Sequence, residues 1–229
     1  MNSYTNKLLE FLKSFIGILI YLRINIIFAF ILDSININTN KTLYITILCS
    51  SEIILLLVLI LIYRKRLKKD FIDFDKNYKK YLTFGFKIWI VGLLIMALSN
   101  NIIYKFIDIA YNQQVNEAVI SKLPLYSIIA IVMCGPFVEE LTFRLGFHEH
   151  IKNKYVYYII TTLIFAGVHV FNGFTNPIQL LYFIPYGALS LAFAIILNKT
   201  NNIFTTIIIH TFHNSMAIVL LTIASIIGA

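Results

Sequence analysis

The chain has 229 residues, of which 59% are hydrophobic and only 13% charged, with a formal net charge of +8. A water-soluble domain carries roughly twice that share of charge, so the composition excludes an ordinary soluble globule and makes the lipid bilayer the expected surroundings. Much of the positive charge is gathered in one short stretch, which excludes an extended nucleic-acid interface, and no nucleic-acid partner is expected.

Met1 to Lys13 is too polar for a signal peptide, and the apolar run after it lacks a small-residue cleavage site, so no cleavable leader is expected. Phe15 to Asp33, interrupted by Arg23, and Thr42 to Tyr63, interrupted by Glu52, are each long enough for a spanning helix of about 20 residues. The basic run Arg64-Lys65-Arg66-Leu67-Lys68-Lys69, followed by Tyr78-Lys79-Lys80, reads as a cytoplasmic linker. A third span is expected from about Leu82 to Tyr104, with Lys87 and Trp89 near its inner end.

Lys105 to Ser121 mixes apolar and polar residues and reads as an extracytoplasmic connection with some interfacial helix. A fourth long helix should start near Pro124, a residue tolerated in a first turn, and continue to about His150. Lys152 and Lys154 then mark a return to the cytoplasm. Further spans are expected at about Tyr155 to Phe171, Ile178 to Leu197 and Ile203 to Ile227, joined by polar connectors at 172–177 and 198–202. The sum is an all-α, polytopic transmembrane helical bundle of about seven spans, or eight if the 105–121 region crosses fully. It divides into N-terminal helices with the basic loop, 1–119, and a C-terminal core, 120–229. Cys49 and Cys134 both fall in spans and read as packing residues. Arg23, Glu52 and Lys87 read as packing or interfacial charges, not as chemistry.

Three polar constellations interrupt the apolar C-terminal half: Glu139-Glu140 with Arg144, His169 after Phe165, and His210 with Asn214. Ionisable groups in hydrocarbon are costly, and several together point to a working site. Adjacent glutamates on a helix diverge by about 100°. Arg144, four residues after Glu140, favours a Glu140–Arg144 ion pair, leaving Glu139 to face a cavity. His210 and Asn214 lie one turn apart on one face, while His213 faces elsewhere as a neighbour or packing donor. At 1.5 Å per residue Glu139, His169, His210 and Asn214 can share one layer of the membrane.

A carboxylate beside a histidine in a low-dielectric pocket can deprotonate a bound water. A second histidine and an amide can donate hydrogen bonds to the oxyanion formed when water adds to a peptide carbonyl. Glu139, His169 and His210 are equally a donor set for Zn2+ or another divalent metal, although the spacing is not His-Glu-x-x-His. Ser190 and Ser215 lack a nucleophile-elbow context.

The motifs Glu139-Glu140-Leu-Thr-Phe-Arg144, Phe165-Ala-Gly-Val-His169 and His210-Thr-Phe-His-Asn214 resemble, in order and spacing, the three signatures of the CPBP family, the CAAX proteases and bacteriocin-processing enzymes also called Abi. The resemblance covers roughly residues 120 to 226. It implies a helical intramembrane endopeptidase whose catalytic groups open toward the cytoplasm and whose partner is a peptide or membrane-protein substrate. Glu139 and His169 would activate water, His210 and Asn214 would form the oxyanion site, and Glu140 and Arg144 would brace the first motif and shape substrate access. Family members are commonly described as metalloproteases, while the eukaryotic-type prenyl-protein protease is similar to a glutamate-dependent enzyme needing no cofactor. Bacteriocin or peptide processing, self-immunity and CAAX-like processing in a bacterial plasma membrane are the implied roles. A noncatalytic immunity or scaffold protein is the competing reading, and a small transporter or proton pathway a third.

Overall fold

The computed structural model describes residues 41–227, so the expected first span at 15–33, with Arg23, lies outside the described residues. The described residues form helices throughout. Helix α1, Lys41–Ile103, is 63 residues long. The basic stretch expected as a linker is helical within it, because residues 41–84 hold neither Gly nor Pro and Arg, Lys and Asp are tolerated in helices. A straight rod would put Glu52 and Tyr104 about 78 Å apart at 1.5 Å per residue. Both nevertheless line one cavity, so α1 folds back through its basic middle and presents two apolar arms.

The descending arm packs Leu55, Leu59, Tyr63 and Leu67 against Val138, Leu141, Leu197 and Ile203. The ascending arm packs Trp89 with Leu189, Phe193, Ile196 and Ile209. At Gly92 a Cβ would lie 2.8 Å from the Ala192 Cβ and 3.2 Å from the Ala188 carbonyl oxygen, so glycine permits the close approach of this arm to its neighbour.

Helix α2, Tyr111–Lys122, occupies the expected interfacial connection and buries no residue. Helix α3, residues 124–148, alternates tight and wide turns: Pro124–Ser127, Ile128–Cys134, Gly135–Glu139, Glu140–Leu145 and Gly146–His148, the second and fourth being π-helical. Helix α4, Lys154–Phe171, starts where the Asn153 side chain accepts from the N–H groups of Tyr155 and Val156. A 3-10 turn, Pro177–Tyr182, opened by an Asn176/Gln179 capping box, leads into α5, Phe183–Thr200. Asn201 ends α5 in the left-handed region at φ 50°, and α6, Ile203–Ile227, follows.

The turn between α5 and α6 is held by the bend of α1. Asp70 accepts from the Ile203 N–H at 3.0 Å, and the Asn202 amide donates to the Asp70 carbonyl at 2.7 Å and to Asp73 at 2.9 Å. Arg66 donates to Asp70 at 2.8 Å and to the Asn201 carbonyl at 2.9 Å, and lies 3.5 Å from Glu149. The basic middle of α1, the 149–154 turn and the 198–202 turn therefore share one end of the bundle.

Four helices among the described residues are long and apolar enough to cross a membrane: Thr42–Ile103, Lys154–Phe171, Pro177–Thr200 and Ile203–Ala224. Among the described residues this replaces the expected count of about seven to eight, whose first span lies outside them. Two expected spans are arms of one helix, and α3 carries Glu139, Glu140 and Arg144 within its irregular turns. The protein is an all-α, multi-pass membrane protein.

Candidate active site

The unusual turns of α3 determine where its carboxylates point. The Gly135 N–H donates five residues back to the Ala130 carbonyl, widening the helix. A Cβ at Gly135 would lie 2.7 Å from that carbonyl oxygen, so only glycine fits. Pro136 has no N–H, and with the Gly135 N–H already engaged, the Ile131 carbonyl loses its partner within the helix. Asn214 of α6 supplies it, donating from Nδ2 at 2.8 Å. One residue pair thereby creates a defect in α3 and another helix fills it, docking the third motif against the first. A second wide turn begins at Glu140 and closes with the Gly146 N–H donating to the Leu141 carbonyl.

Glu140 and Arg144 are both 0% exposed, with 3.4 Å between Glu140 Oε1 and Arg144 Nη1, so the expected ion pair is present. Arg144 also donates from Nη2 to Ser190 Oγ at 3.3 Å. Its guanidinium carbon lies 3.8 Å from the Phe165 ring centre and 5.7 Å from that of Phe193, a cation–π environment that partly replaces water. His210 joins this group through Nδ1, 2.9 Å from Glu140 Oε1, and presents Nε2 toward Glu139 Oε2 at 3.7 Å. The ring stacks on Phe193, centres 4.7 Å apart and planes 21° apart. With Glu140 as acceptor, Nδ1 carries the proton, and Nε2 is the atom turned toward chemistry.

His169 is fixed similarly from α4. Its Nδ1 lies 2.9 Å from the Phe165 carbonyl oxygen and donates to it, and its ring is flanked by Phe165 and Tyr186. Nε2 is then the lone-pair atom of the neutral ring.

A single cavity of about 670 Å³ is lined by Glu139, His169, His210 and Asn214, the four residues singled out as catalytic. It extends to Asn112 and Asn116 of α2 and to Leu220 of α6, at the end of the bundle opposite the basic turns. Glu52 and Tyr126, neither given a chemical role from sequence, also line the cavity and are joined by a 3.1 Å hydrogen bond. Glu52 had one visible signal, a lone carboxyl in an apolar run; Tyr126 had none. His213, expected to face elsewhere, sits 6.2 Å from the Trp89 ring and still reaches the cavity wall. Cys49 and Cys134 are buried and free.

As a metal site the arrangement does not fit. Among the described residues no three His, Cys, Asp or Glu side chains group so as to hold an ion.

Taken together, the fold and site define a multi-pass membrane protein with a Glu/His constellation between helices. Residues 121–216, less than half of the chain, match the family described as Type II CAAX prenyl endopeptidase Rce1-like. The chain is 28% identical over 168 residues to UPF0177 protein YxdF of Lactococcus lactis subsp. lactis, covering 69% of this chain and 88% of that protein. It is 24% identical over 142 residues to UPF0177 protein YbdI of the same organism, covering 58% and 75%. No solved structure matches.

Proposed function

We propose that this protein is an intramembrane endopeptidase that hydrolyses a peptide bond without a covalent intermediate. The observation carrying this reading is the convergence of Glu139, His169, His210 and Asn214, from three helices, on one cavity. Each arm of α1 crosses the bilayer separately, and residues 120–229 form the catalytic core.

In this reaction Glu139 takes a proton from a water that His169 orients through Nε2, and the hydroxide adds to the substrate carbonyl. The oxyanion is held by the ring of His210, which Glu140 orients through Nδ1, and by the second Nδ2–H of Asn214. Collapse breaks the C–N bond as Glu139 returns its proton to the departing amine, giving a carboxylic acid and an amine, and the acid's proton then passes to the amine to leave a carboxylate and an ammonium. Arg144 keeps Glu140 ionised and in place, acting through it rather than on substrate. The substrate is a peptide or a membrane protein, and the role is bacteriocin or peptide processing, self-immunity or CAAX-like processing, in keeping with the family match.

The test compares new peptide termini in membranes and medium from cells expressing wild type, Glu139→Ala or His169→Ala at matched abundance. Termini present only with wild type support hydrolysis; full cleavage by both variants refutes it. The engagement of Asn214 by the Ile131 carbonyl favours one rival, a noncatalytic immunity or scaffold protein, for which protection of the host would survive Glu139→Ala.

A further inference from the structure

Three carboxyl groups lie in this part of the bundle, and the chain treats them differently. Glu140 has Arg144 and His210, and Glu139 has His210. Glu52, half-buried on the descending arm of α1, has as its hydrogen-bond partner among the described residues only the neutral hydroxyl of Tyr126, at 3.1 Å. It is also near enough to Glu139 for their charges to repel. No Lys or Arg occurs among the described residues lining the cavity. Among the described residues, Glu52 thus stands in an apolar helix beside a second carboxylate and without a cation, the character of a site lacking its counter-ion.

The surrounding wall has the complementary chemistry. Tyr104, Tyr126 and Tyr186 line it with aromatic rings, a kind of group that attracts cations, and leucine and isoleucine side chains are among its apolar lining. A purely hydrocarbon ligand would gain nothing from Glu52 and would leave two carboxyls facing apolar groups. An anionic ligand would be repelled.

We propose that Glu52 and Tyr126 form a subsite binding a cationic side chain of an otherwise apolar peptide substrate within the cavity served by Glu139. This deepens the endopeptidase reading and rests on it for the word substrate, but the binding it describes is measurable without turnover. When the cation enters, Glu52 supplies the charge and Tyr126 fixes the carboxylate. The scissile bond is then placed a set distance from the Lys or Arg.

The probe is a pair of dye-labelled, end-blocked Leu/Ala decapeptides differing only in a central Lys or norleucine. Binding is read by fluorescence anisotropy on the full chain in lipid nanodiscs, with Glu139→Ala as the background that prevents turnover. The Lys peptide is expected to bind at least tenfold more tightly than the norleucine peptide, and Glu52→Gln to cut that preference below threefold. Tyr126→Phe, which keeps the ring and removes the hydroxyl, is expected to lower it two- to fivefold and serves if the first variant fails to fold. Equal binding of the two peptides, or an undiminished preference in Glu52→Gln, overturns the subsite. With Glu139 restored, absence of cleavage despite Lys-selective binding would refute the hydrolase reading while upholding the subsite. Cleavage without Lys selectivity refutes the subsite alone.

Discussion

The Asn214–Ile131 hydrogen bond can be separated from any role of Asn214 in chemistry by removing the defect it fills. Asn214→Ala leaves the Ile131 carbonyl without a partner, because the Gly135 N–H already serves Ala130 and Pro136 has none to give. An orphaned buried acceptor costs about 1–3 kcal/mol in general. Side-chain hydrogen bonds within membranes average about 0.6 and reach about 1.7 kcal/mol. The expected loss is thus about 1–2 kcal/mol, a shift of roughly five- to thirtyfold in the unfolding equilibrium. Pro136→Ala restores an N–H five residues beyond Ile131, where it can close the wide turn. In that background Asn214→Ala should cost less than about 0.5 kcal/mol, a coupling of at least about 0.5–1.5 kcal/mol against a scatter of about 0.3–0.5 kcal/mol for independent sites. Activity should behave otherwise: loss of an oxyanion donor lowers kcat about 100- to 1,000-fold, and the new backbone N–H cannot replace it. The assay is SDS-driven unfolding of the four purified proteins followed by circular dichroism, with peptide cleavage measured on each. Additive stability losses would refute the carbonyl-rescue account, and recovery of cleavage alongside stability would show that Asn214 acts only through the helix.

Two further outcomes follow from other buried groups. Arg144→Ala leaves the fully buried Glu140 with His210 as its remaining partner, and breaking such a pair costs up to about 3–5 kcal/mol, so the variant should accumulate poorly in membranes while Glu140→Gln/Arg144→Met recovers most of the loss; wild-type thermal stability of Arg144→Ala would contradict this. His148, at the basic end, is held down to about 4 by burial first and then by the nearby positive charges of Arg66 and Lys152. Its unfolded value is the higher one, so the unfolded chain takes up the proton first and stability falls as pH drops from about 6.5 to 4. His148→Gln should flatten the unfolding midpoint across that window, and an unchanged pH profile would count against the buried neutral ring.

The site was more legible in the sequence than the fold that carries it. Glu139, Glu140, Arg144, His169, His210 and Asn214 stand out because each is polar where its neighbours are hydrocarbon, and burial cost makes that contrast informative without coordinates. The Glu140–Arg144 pairing was readable from helical spacing and persists in a π-helical segment, since the two side chains still meet across one turn. The π turns themselves have no hydrophobic period to betray them, and only Gly135-Pro136 hinted at irregularity. The pairing of His210 Nδ1 with Glu140 was not readable because it joins positions 70 residues apart. The fused α1 was missed for a different reason. Charge marks where a chain leaves the bilayer but does not end a helix, and no Gly or Pro was present to do so.

The orientation of the cavity brings two general rules into conflict, and their conflict is testable. Residues Arg64, Lys65, Arg66, Lys68, Lys69, Lys76, Lys79 and Lys80 crowd the bend of α1, and Lys152, Lys154 and Lys199 lie in or beside the turns at that same end. The far end has Lys105 and Lys122 beside α2. The bias of Lys and Arg toward short cytoplasmic connections puts the first end inside the cell. Asn112 and Asn116, which line the cavity on the far side, then face out, so substrate approaches from the external face or the outer leaflet. Asn116→Cys, with Cys49 and Cys134 replaced by Ala, should therefore react with a membrane-impermeant maleimide on intact cells. Asn77→Cys, on the exposed basic arm, should react only after permeabilisation. The reverse pattern would invert the bundle, place the basic arm outside against the charge rule, and restore a cavity that opens to the cytoplasm.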